Sequence, residues 1–223
     1  CGSADLLEAA GIPLDLAPEQ ALTVLHEVGI TFLFAPRYHP AMRFAAPVRR
    51  ALGVRTIFNF LGPLCNPGRV RRQLLGVGER ERVPDFVQAL GGLGVERGFV
   101  VHGGGGADEL TLEDGNLAVP VGNAPSEPFD PAGLGFSRAG VAALEGGDAA
   151  RNLALLQGIL DGEAGPLRDA VLLNAAAALA VAGVAADAAD GVARAREALD
   201  SGRARRTLSD WSSTAASLAR GVA

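Results

Sequence analysis

Short apolar segments alternate with helical segments through the middle of the chain, and this alternation constrains the fold more than any other feature. Residues 73–77 and 98–101 are apolar as buried strands are, and residues 83–93 between them have helical periodicity. Two further strand-like runs, 109–112 and 117–121, flank a Glu-Asp-Gly-Asn turn and predict a hairpin at the sheet edge. Strands separated by helices predict an α/β fold, with a mixed, mostly parallel sheet flanked by helices.

The segments on either side of this sheet are mostly helical. Before it, periodicity and Gly or Pro boundaries predict helices over 3–11, 18–29 and 40–52, with Ser3 capping the first and a buried strand over 30–34. After it, we predict three or four helices: 148–160, 166–182 and 188–201, with 204–218 as the fourth. The second of these is apolar all round except at Asn174, whose amide needs hydrogen-bond partners when buried. The whole pattern predicts one α/β domain spanning residues 1–223.

Charge and cysteine content exclude several classes of function. The chain of 223 residues has 25 acidic residues against 20 basic ones, all arginine, and a net charge of −5. This balance argues against a general nucleic-acid binder, which needs a basic excess to displace counterions from phosphates. Two cysteines are too few for a disulfide framework, so we expect a reducing compartment, the cytoplasm. The most apolar run, 170–186, falls short of a membrane span, and no signal peptide is visible.

Two stretches in the first fifty residues could bind an anionic ligand. Residues 1–5 form a small-residue turn at a helix start, where a hydroxyl and free amides suit an anion. Residues 34–40 follow the carboxyl end of a predicted strand, where open α/β sheets place their ligands, and Arg49 and Arg50 follow one helix later. The alternatives remain open: Ser3 as a cap, His39 as a loop histidine bonded to backbone, and both arginines as a solvated helix face.

Residues 100–111 carry the strongest local signal for chemistry. A buried strand leads into four glycines and then into Asp108 and Glu109 at the start of the next predicted strand. Adjacent strand residues point to opposite faces, but at a loop–strand junction two carboxylates can fan around metal ions. Hard oxygen ligands suit Mg²⁺, particularly when a substrate diphosphate completes the coordination. The alternative is a solvated turn.

Residues 56–67, broken by Gly62, Pro63 and Pro67, are predicted to form a packed crossover loop.

In this order and spacing, these stretches resemble the anthranilate phosphoribosyltransferase family. The resemblance covers nearly the whole chain, and the run 34–67 is its most specific part. The matching segments are 2–5, 27–30, 34–67, 72–77, His102-Gly103 with 108–110, 146–148 and 172–179. The resemblance implies transfer of phosphoribose from 5-phosphoribosyl 1-diphosphate to the amine of anthranilate, with release of diphosphate. It also implies a magnesium cofactor, a homodimer, and an α/β domain of the nucleoside phosphorylase and phosphoribosyltransferase type.

The resemblance also assigns roles to individual residues. Ser3 matches a position that contacts the phosphoribosyl substrate, and Arg49 matches the arginine that meets anthranilate. Pro36 and His39 lie on the loop that lines the anthranilate entry, and Asp108 with Glu109 match the magnesium carboxylates. No residue is assigned as a covalent catalyst. We expect no nucleic-acid and no membrane partner.

Departures from the family pattern limit what we expect of this chain. The small N-terminal helical domain and the glycine-rich diphosphate loop of the family are absent, as is a Lys-His-Gly-Asn segment. We therefore expect a C-terminal part of a longer enzyme that is inactive, or nearly so, by itself. Two alternatives remain: a relative of pyrimidine nucleoside phosphorylase, and a non-catalytic binding module on the same scaffold.

Overall fold

The computed structural model describes residues 1–41, 44, 51 and 61–221. The chain divides into two compact units. Unit one comprises Cys1–Gly68, Gly146–Gln157 and Gly202–Ala223, and unit two comprises Arg69–Glu145 and Gly158–Ser201. Within the described ranges, every helix is too short or too polar to cross a membrane.

The helices and strands are numbered in chain order. The helices are α1 (Ser3–Ala9), α2 (Pro18–Val28), α3 (Ala35–Tyr38), α4 (Val83–Gly92), α5 (Ala149–Leu160), α6 (Pro166–Ala182), α7 (Ala188–Asp200) and α8 (Arg203–Ala219). The strands are β1 (Arg72–Gly76), β2 (Arg97–His102) and β3 (Leu117–Gly122). The α/β class is thereby confirmed, and the long predicted helices that lie within the described residues match to within about two residues.

The sheet of unit two is mixed and has the order β1-β2-β3. β1 and β2 run parallel with Leu75 opposite Val100, and β2 and β3 run antiparallel with Val100 opposite Val119. Phe99 and Val101 belong to the core cluster that contains the buried residues of α6. Val100 is equally buried and points to the other face of the sheet, since strand neighbours alternate. Helix α4 packs against β2 and β3.

Unit one is built on helices α1, α2 and α8. Its core consists of Ile12, Leu16, Ala21, Val24, Trp211 and Ala215. Polar contacts tie its segments together: the Gln20 side chain donates to the carbonyl of Leu218 at 2.8 Å, and the Ser212 hydroxyl donates to the carbonyl of Gly11 at 3.1 Å. Pro18 begins α2 and Gly29, at φ 86°, ends it in the left-handed region, as the sequence predicts.

Two predicted strands are wrong. Residues 30–34 form no strand: a strand needs a hydrogen-bonded neighbour, and no described strand pairs with them. Residues 109–112 form no hairpin with β3, which pairs with β2 instead. The polar backbone groups of Leu110 and Thr111 bond to the side-chain amides of Asn174 and Asn116, so they are satisfied without a strand partner.

The start of α1 also differs from the prediction. Gly2, not Ser3, is the N-cap, and Ser3 is the first helical residue. The carboxylate of Asp5 accepts from the Gly2 N–H at 2.8 Å. The side-chain hydrogen bond at the start of this helix therefore comes from Asp5 and not from Ser3. Most of the helix predicted over 40–52 lies outside the described residues, as do residues 56–60 of the predicted loop. In the described part of that loop, Gly62–Leu64 forms a 3₁₀ turn.

Candidate functional site

Asp108 and Glu109 lie at the carboxyl ends of the two parallel strands. They belong to a segment that we call the carboxylate loop, residues 103–111, which follows β2 directly. A bridge between Gly103 and Ala107 closes its glycine-rich half, with the Gly103 N–H donating to the carbonyl of Ala107 at 2.9 Å. Gly105 and Gly106 adopt φ of 75° and 85°, conformations that only glycine takes readily. The four glycines therefore form a tight turn that presents the two acids.

Two glycines let the main chain of this loop approach the sheet. A Cβ at Gly76, the last residue of β1, would overlap the carbonyl oxygen of Asp108. A Cβ at Gly103 would overlap the carbonyl oxygen of Glu109. In each case the obstacle is backbone, which cannot rotate away as a side chain can. The positions of Asp108 and Glu109 thus depend on glycine at the ends of both parallel strands.

Asn116 holds the far end of the loop. Its side-chain oxygen accepts from the N–H groups of Gly104 at 3.1 Å and Thr111 at 3.0 Å, and its amide donates to the carbonyl of Thr111 at 2.8 Å. The buried hydroxyl of Thr111 donates to the carbonyl of Gly104 at 3.1 Å. These bonds connect the glycine turn to the segment after the acids, so the loop is closed on itself.

The two carboxylates repel each other. Partial burial of the Glu109 carboxyl group, and then the charge of Asp108, raise the pKa of Glu109 above its ordinary value. Both residues remain exposed. A divalent cation would neutralise this repulsion. Mg²⁺ is commonly bound by one or two carboxylates, and substrate phosphates and water complete its coordination shell. Among the described residues no cluster of three or more ligating side chains exists, so the pair fits such an open site and not a closed cage.

His102, the last residue of β2, is buried, unlike the two acids. Its Nδ1 lies 2.8 Å from the carbonyl oxygen of Val77 and donates to it, since a carbonyl accepts only. This bond joins the ends of β1 and β2, where the carboxylate loop begins.

The substrate-binding candidates lie in unit one. Ser3 is exposed at the start of α1, and Pro36 is exposed in α3. His39 is half-buried directly after α3, and its backbone N–H donates to the carbonyl of Ala35 at 2.9 Å. Arg49 lies outside the described residues, as does Arg50. Asp108 and Glu109 belong to unit two. The predicted metal pair therefore lies in one unit, and the segment that carries Pro36 and His39 lies in the other.

Several residues that shape these segments were missed by sequence reasoning. Arg37 forms an ion pair with Asp15 at 2.8 Å that ties the segment before His39 to the rest of unit one. Asn116 lies in the predicted turn and Gly76 lies inside a predicted strand, and the sequence pattern gave neither residue a role at the site. A glycine within a strand is a known sign that another backbone approaches closely, and it could have identified Gly76.

Unit two also contains a cavity of about 570 Å³ that does not include the acid pair. Its three carboxylates already have partners: Asp114 pairs with Arg138, Glu127 accepts from the Ala188 N–H, and Asp130 accepts from the Gly133 N–H. The carboxylates that line the cavity thus have structural partners, and the carboxylate loop is the better candidate site.

Comparisons with known proteins identify the family of the chain. A family model described as "Glycosyl transferase family, a/b domain" matches residues 1–205. Anthranilate phosphoribosyltransferase of Chloroflexus aurantiacus is 50% identical over 212 residues, covering 93% of this chain and 62% of that protein. Anthranilate phosphoribosyltransferase 2 of Streptomyces coelicolor is 49% identical over 213 residues, covering 95% of this chain and 64% of that protein. The chain thus spans less than two thirds of these relatives.

Solved structures show the same fold. Anthranilate phosphoribosyltransferase from Thermus thermophilus superposes with a TM-score of 0.85 at 44% identity, covering 96% of this chain and 64% of that one. The enzyme from Saccharomyces cerevisiae, solved in complex with PRPP and Mg, superposes with a TM-score of 0.90 at 24% identity, covering 97% of this chain and 63% of that one. From the family match over almost its whole length, the chain belongs to the glycosyl transferase family and carries that family's α/β domain.

Proposed function

We propose that this chain is the α/β part of an anthranilate phosphoribosyltransferase of tryptophan biosynthesis. The enzyme would transfer phosphoribose from 5-phosphoribosyl 1-diphosphate to anthranilate and give N-(5-phosphoribosyl)anthranilate and diphosphate. The observation that carries the proposal is the acid pair at the carboxyl ends of two parallel strands, in a chain half identical to enzymes of that name. The exposed free cysteines, Cys1 and Cys65, accord with a reducing cytoplasm.

In this reaction the anomeric carbon exchanges one bond for another. The bond from carbon to the diphosphate oxygen breaks, the bond from carbon to the anthranilate nitrogen forms, and the proton that the amine loses passes to the released diphosphate or to water. Asp108 and Glu109 would hold Mg²⁺, which, when bound, neutralises charge on the diphosphate that leaves. With no covalent intermediate required, the protein's contribution is positioning and electrostatic stabilisation.

The remaining roles concern the two anionic substrates. A chain with a net charge of −5 needs local positive charge to bind them. Arg49 would hold the anthranilate carboxylate, because a planar guanidinium can form two parallel bonds with it. Ser3 would contact the phosphoribosyl group, and Pro36 with His39 would line the entry of anthranilate. By resemblance to the family we propose that the intact enzyme is a homodimer.

Loss of anthranilate fluorescence on addition of 5-phosphoribosyl 1-diphosphate and Mg²⁺ tests the proposal. We expect little or no turnover by the 223-residue chain, and turnover by any longer polypeptide that the same reading frame encodes. In that polypeptide, Asp108→Asn and Glu109→Gln should abolish Mg²⁺-dependent turnover. An active 223-residue chain would contradict the expectation of inactivity. An unchanged anthranilate signal with the longer polypeptide would contradict the proposed function and favour a non-catalytic binding module.

A further inference from the structure

Asn174, in the middle of α6, binds both backbone polar groups of a single residue, Leu110. Its Oδ1 accepts from the Leu110 N–H at 3.0 Å, and its Nδ2 donates to the Leu110 carbonyl at 2.7 Å. Nδ2 also donates to the carbonyl of Ala170, one turn earlier in the helix, at 3.0 Å. The side-chain amide thus acts as a peptide group would in a neighbouring strand, with both donor hydrogens used.

Leu110 directly follows the two acids and is completely buried. The backbone before it is confined on two sides, with Gly76 against the carbonyl of Asp108 and Gly103 against that of Glu109. These glycines supply space, whereas Asn174 supplies hydrogen bonds. The main chain that carries both acids therefore has a fixed position at each of three successive residues.

The helix itself gives no reason for an asparagine at this position. Asn174 is half-buried, and the buried residues of α6 around it are alanine, leucine and valine. Asparagine is a poor helix former, and a buried amide without partners is costly. Packing alone would be served as well by leucine. What asparagine adds is the pair of bonds to Leu110.

We propose that Asn174 is a positioning residue: by holding Leu110, it fixes the carboxylates of Asp108 and Glu109 in the arrangement that binds a divalent cation. This inference rests on the proposed function only in taking Mg²⁺ as the ion that the acid pair binds. Asn174 is not a ligand. It sets the geometry of the ligands, as partners outside the coordination shell do in other metal sites.

Binding of Mn²⁺ to the 223-residue chain, with 5-phosphoribosyl 1-diphosphate present, tests the proposal. Electron paramagnetic resonance measures the free Mn²⁺ concentration. We expect Asn174→Ala to raise the dissociation constant of Mn²⁺ about ten- to a hundredfold. Exchange of the Leu110 amide hydrogen should accelerate at least about tenfold, since its acceptor is gone, while the β2 amides of Phe99 and Val100 keep their rates. An unchanged Mn²⁺ affinity in the folded variant would overturn the proposal.

Asn174→Asp separates bonding from shape and charge. The carboxylate has the same size but turns an acceptor toward the carbonyls of Leu110 and Ala170, in place of a donor. Its extra negative charge would by itself tighten cation binding, whereas lost positioning weakens it. We therefore expect weaker Mn²⁺ binding, and tighter or equal binding would contradict the positioning role.

Val192→Ala is the matched control for general destabilisation. Val192 lies on α7 in the same core cluster, and its side chain forms no hydrogen bond. We expect Val192→Ala to lower the free energy of unfolding without changing Mn²⁺ affinity. If it weakens Mn²⁺ binding as much as Asn174→Ala does, the effect of Asn174 is merely structural.

The outcomes also separate this proposal from the proposed function. If the wild-type chain binds Mn²⁺ and the Asn174 variants bind it equally well, only the positioning role is overturned. If the variants lose Mn²⁺ but the longer polypeptide leaves anthranilate unchanged, the positioning role is supported and the proposed function is overturned. If the wild-type chain binds no Mn²⁺, the positioning role is overturned, whereas the proposed function is decided by the anthranilate assay of the longer polypeptide.

Discussion

The carboxylate loop and the segment 30–34 begin from similar sequence predictions and end in different structures. Residues 109–112, at the end of the carboxylate loop, and residues 30–34 were both predicted as strands, and neither segment is one. In the carboxylate loop, Asn116 and Asn174 satisfy the backbone at Leu110 and Thr111. In the segment 30–34, no such bond from a described side chain is seen, and the buried hydroxyl of Thr31 has no described partner. The two segments differ in whether their polar groups have hydrogen-bond partners among the described residues: those of the carboxylate loop are bonded by asparagine side chains, and the hydroxyl of Thr31 is not.

Gly76→Ala is expected to have the largest effect on this comparison. The new methyl group would overlap the Asp108 carbonyl, so the loop must shift, and we expect a loss of about 3 kcal/mol in the free energy of unfolding. Urea denaturation followed by circular dichroism measures it. Gly91→Ala in α4 is the control: nothing lies within 4 Å of its Cβ position, and alanine should stabilise the helix by about 0.5–1 kcal/mol. Equal effects of the two substitutions would refute the close approach of loop and strand.

Thr111→Val tests the polar network of the carboxylate loop. The valine keeps the shape of threonine but leaves the Gly104 carbonyl and the Glu113 N–H without the hydroxyl that they bond. We expect a loss of about 2 kcal/mol, the cost of unsatisfied groups in a buried site. The same denaturation experiment measures it. A variant as stable as the wild type would show that water replaces the hydroxyl.

Thr31→Val is the same substitution in the other region, and it should act in the opposite direction. Removing a buried hydroxyl that bonds no described residue should stabilise unit one by about 1 kcal/mol. The single tryptophan, Trp211, lies in the core of unit one, so its fluorescence during denaturation reports this unit. Destabilisation by Thr31→Val would mean that the hydroxyl has a partner, and the contrast between the two regions would disappear.

Glu109→Gln should have the smallest effect, and its sign depends on pH. The pKa of Glu109 is raised in the folded chain, so the folded state binds more protons than the unfolded state between the two pKa values. The contribution of Glu109 to the free energy of unfolding therefore falls as pH rises through that range. Glu109→Gln, which carries no charge, should be slightly more stable than the wild type at pH 7, and the difference should vanish in acid. Denaturation at several pH values measures it, and a difference independent of pH would contradict the raised pKa.

The sequence was informative where a local pattern decides the structure. Periodicity with Gly and Pro boundaries identified α2 and α6, and the apolar run at 98–101 identified β2. The amide of Asn174 was predicted to need partners, but its partner, Leu110, is 64 residues away and no local pattern points to it. The two wrong strands have the same cause: apolar character predicts an extended, buried segment, whereas pairing depends on distant residues. The acid pair could be proposed as a candidate site because its residues are adjacent in sequence.

The distribution of thiols has a practical consequence for chemical labelling. Both cysteines, Cys1 and Cys65, are free and exposed, and both belong to unit one. The chain has no lysine, so unit two carries neither a thiol nor a side-chain amine. A maleimide dye will therefore mark unit one alone, and electrophiles that damage proteins at cysteine and lysine will leave the carboxylate loop and its asparagines chemically intact.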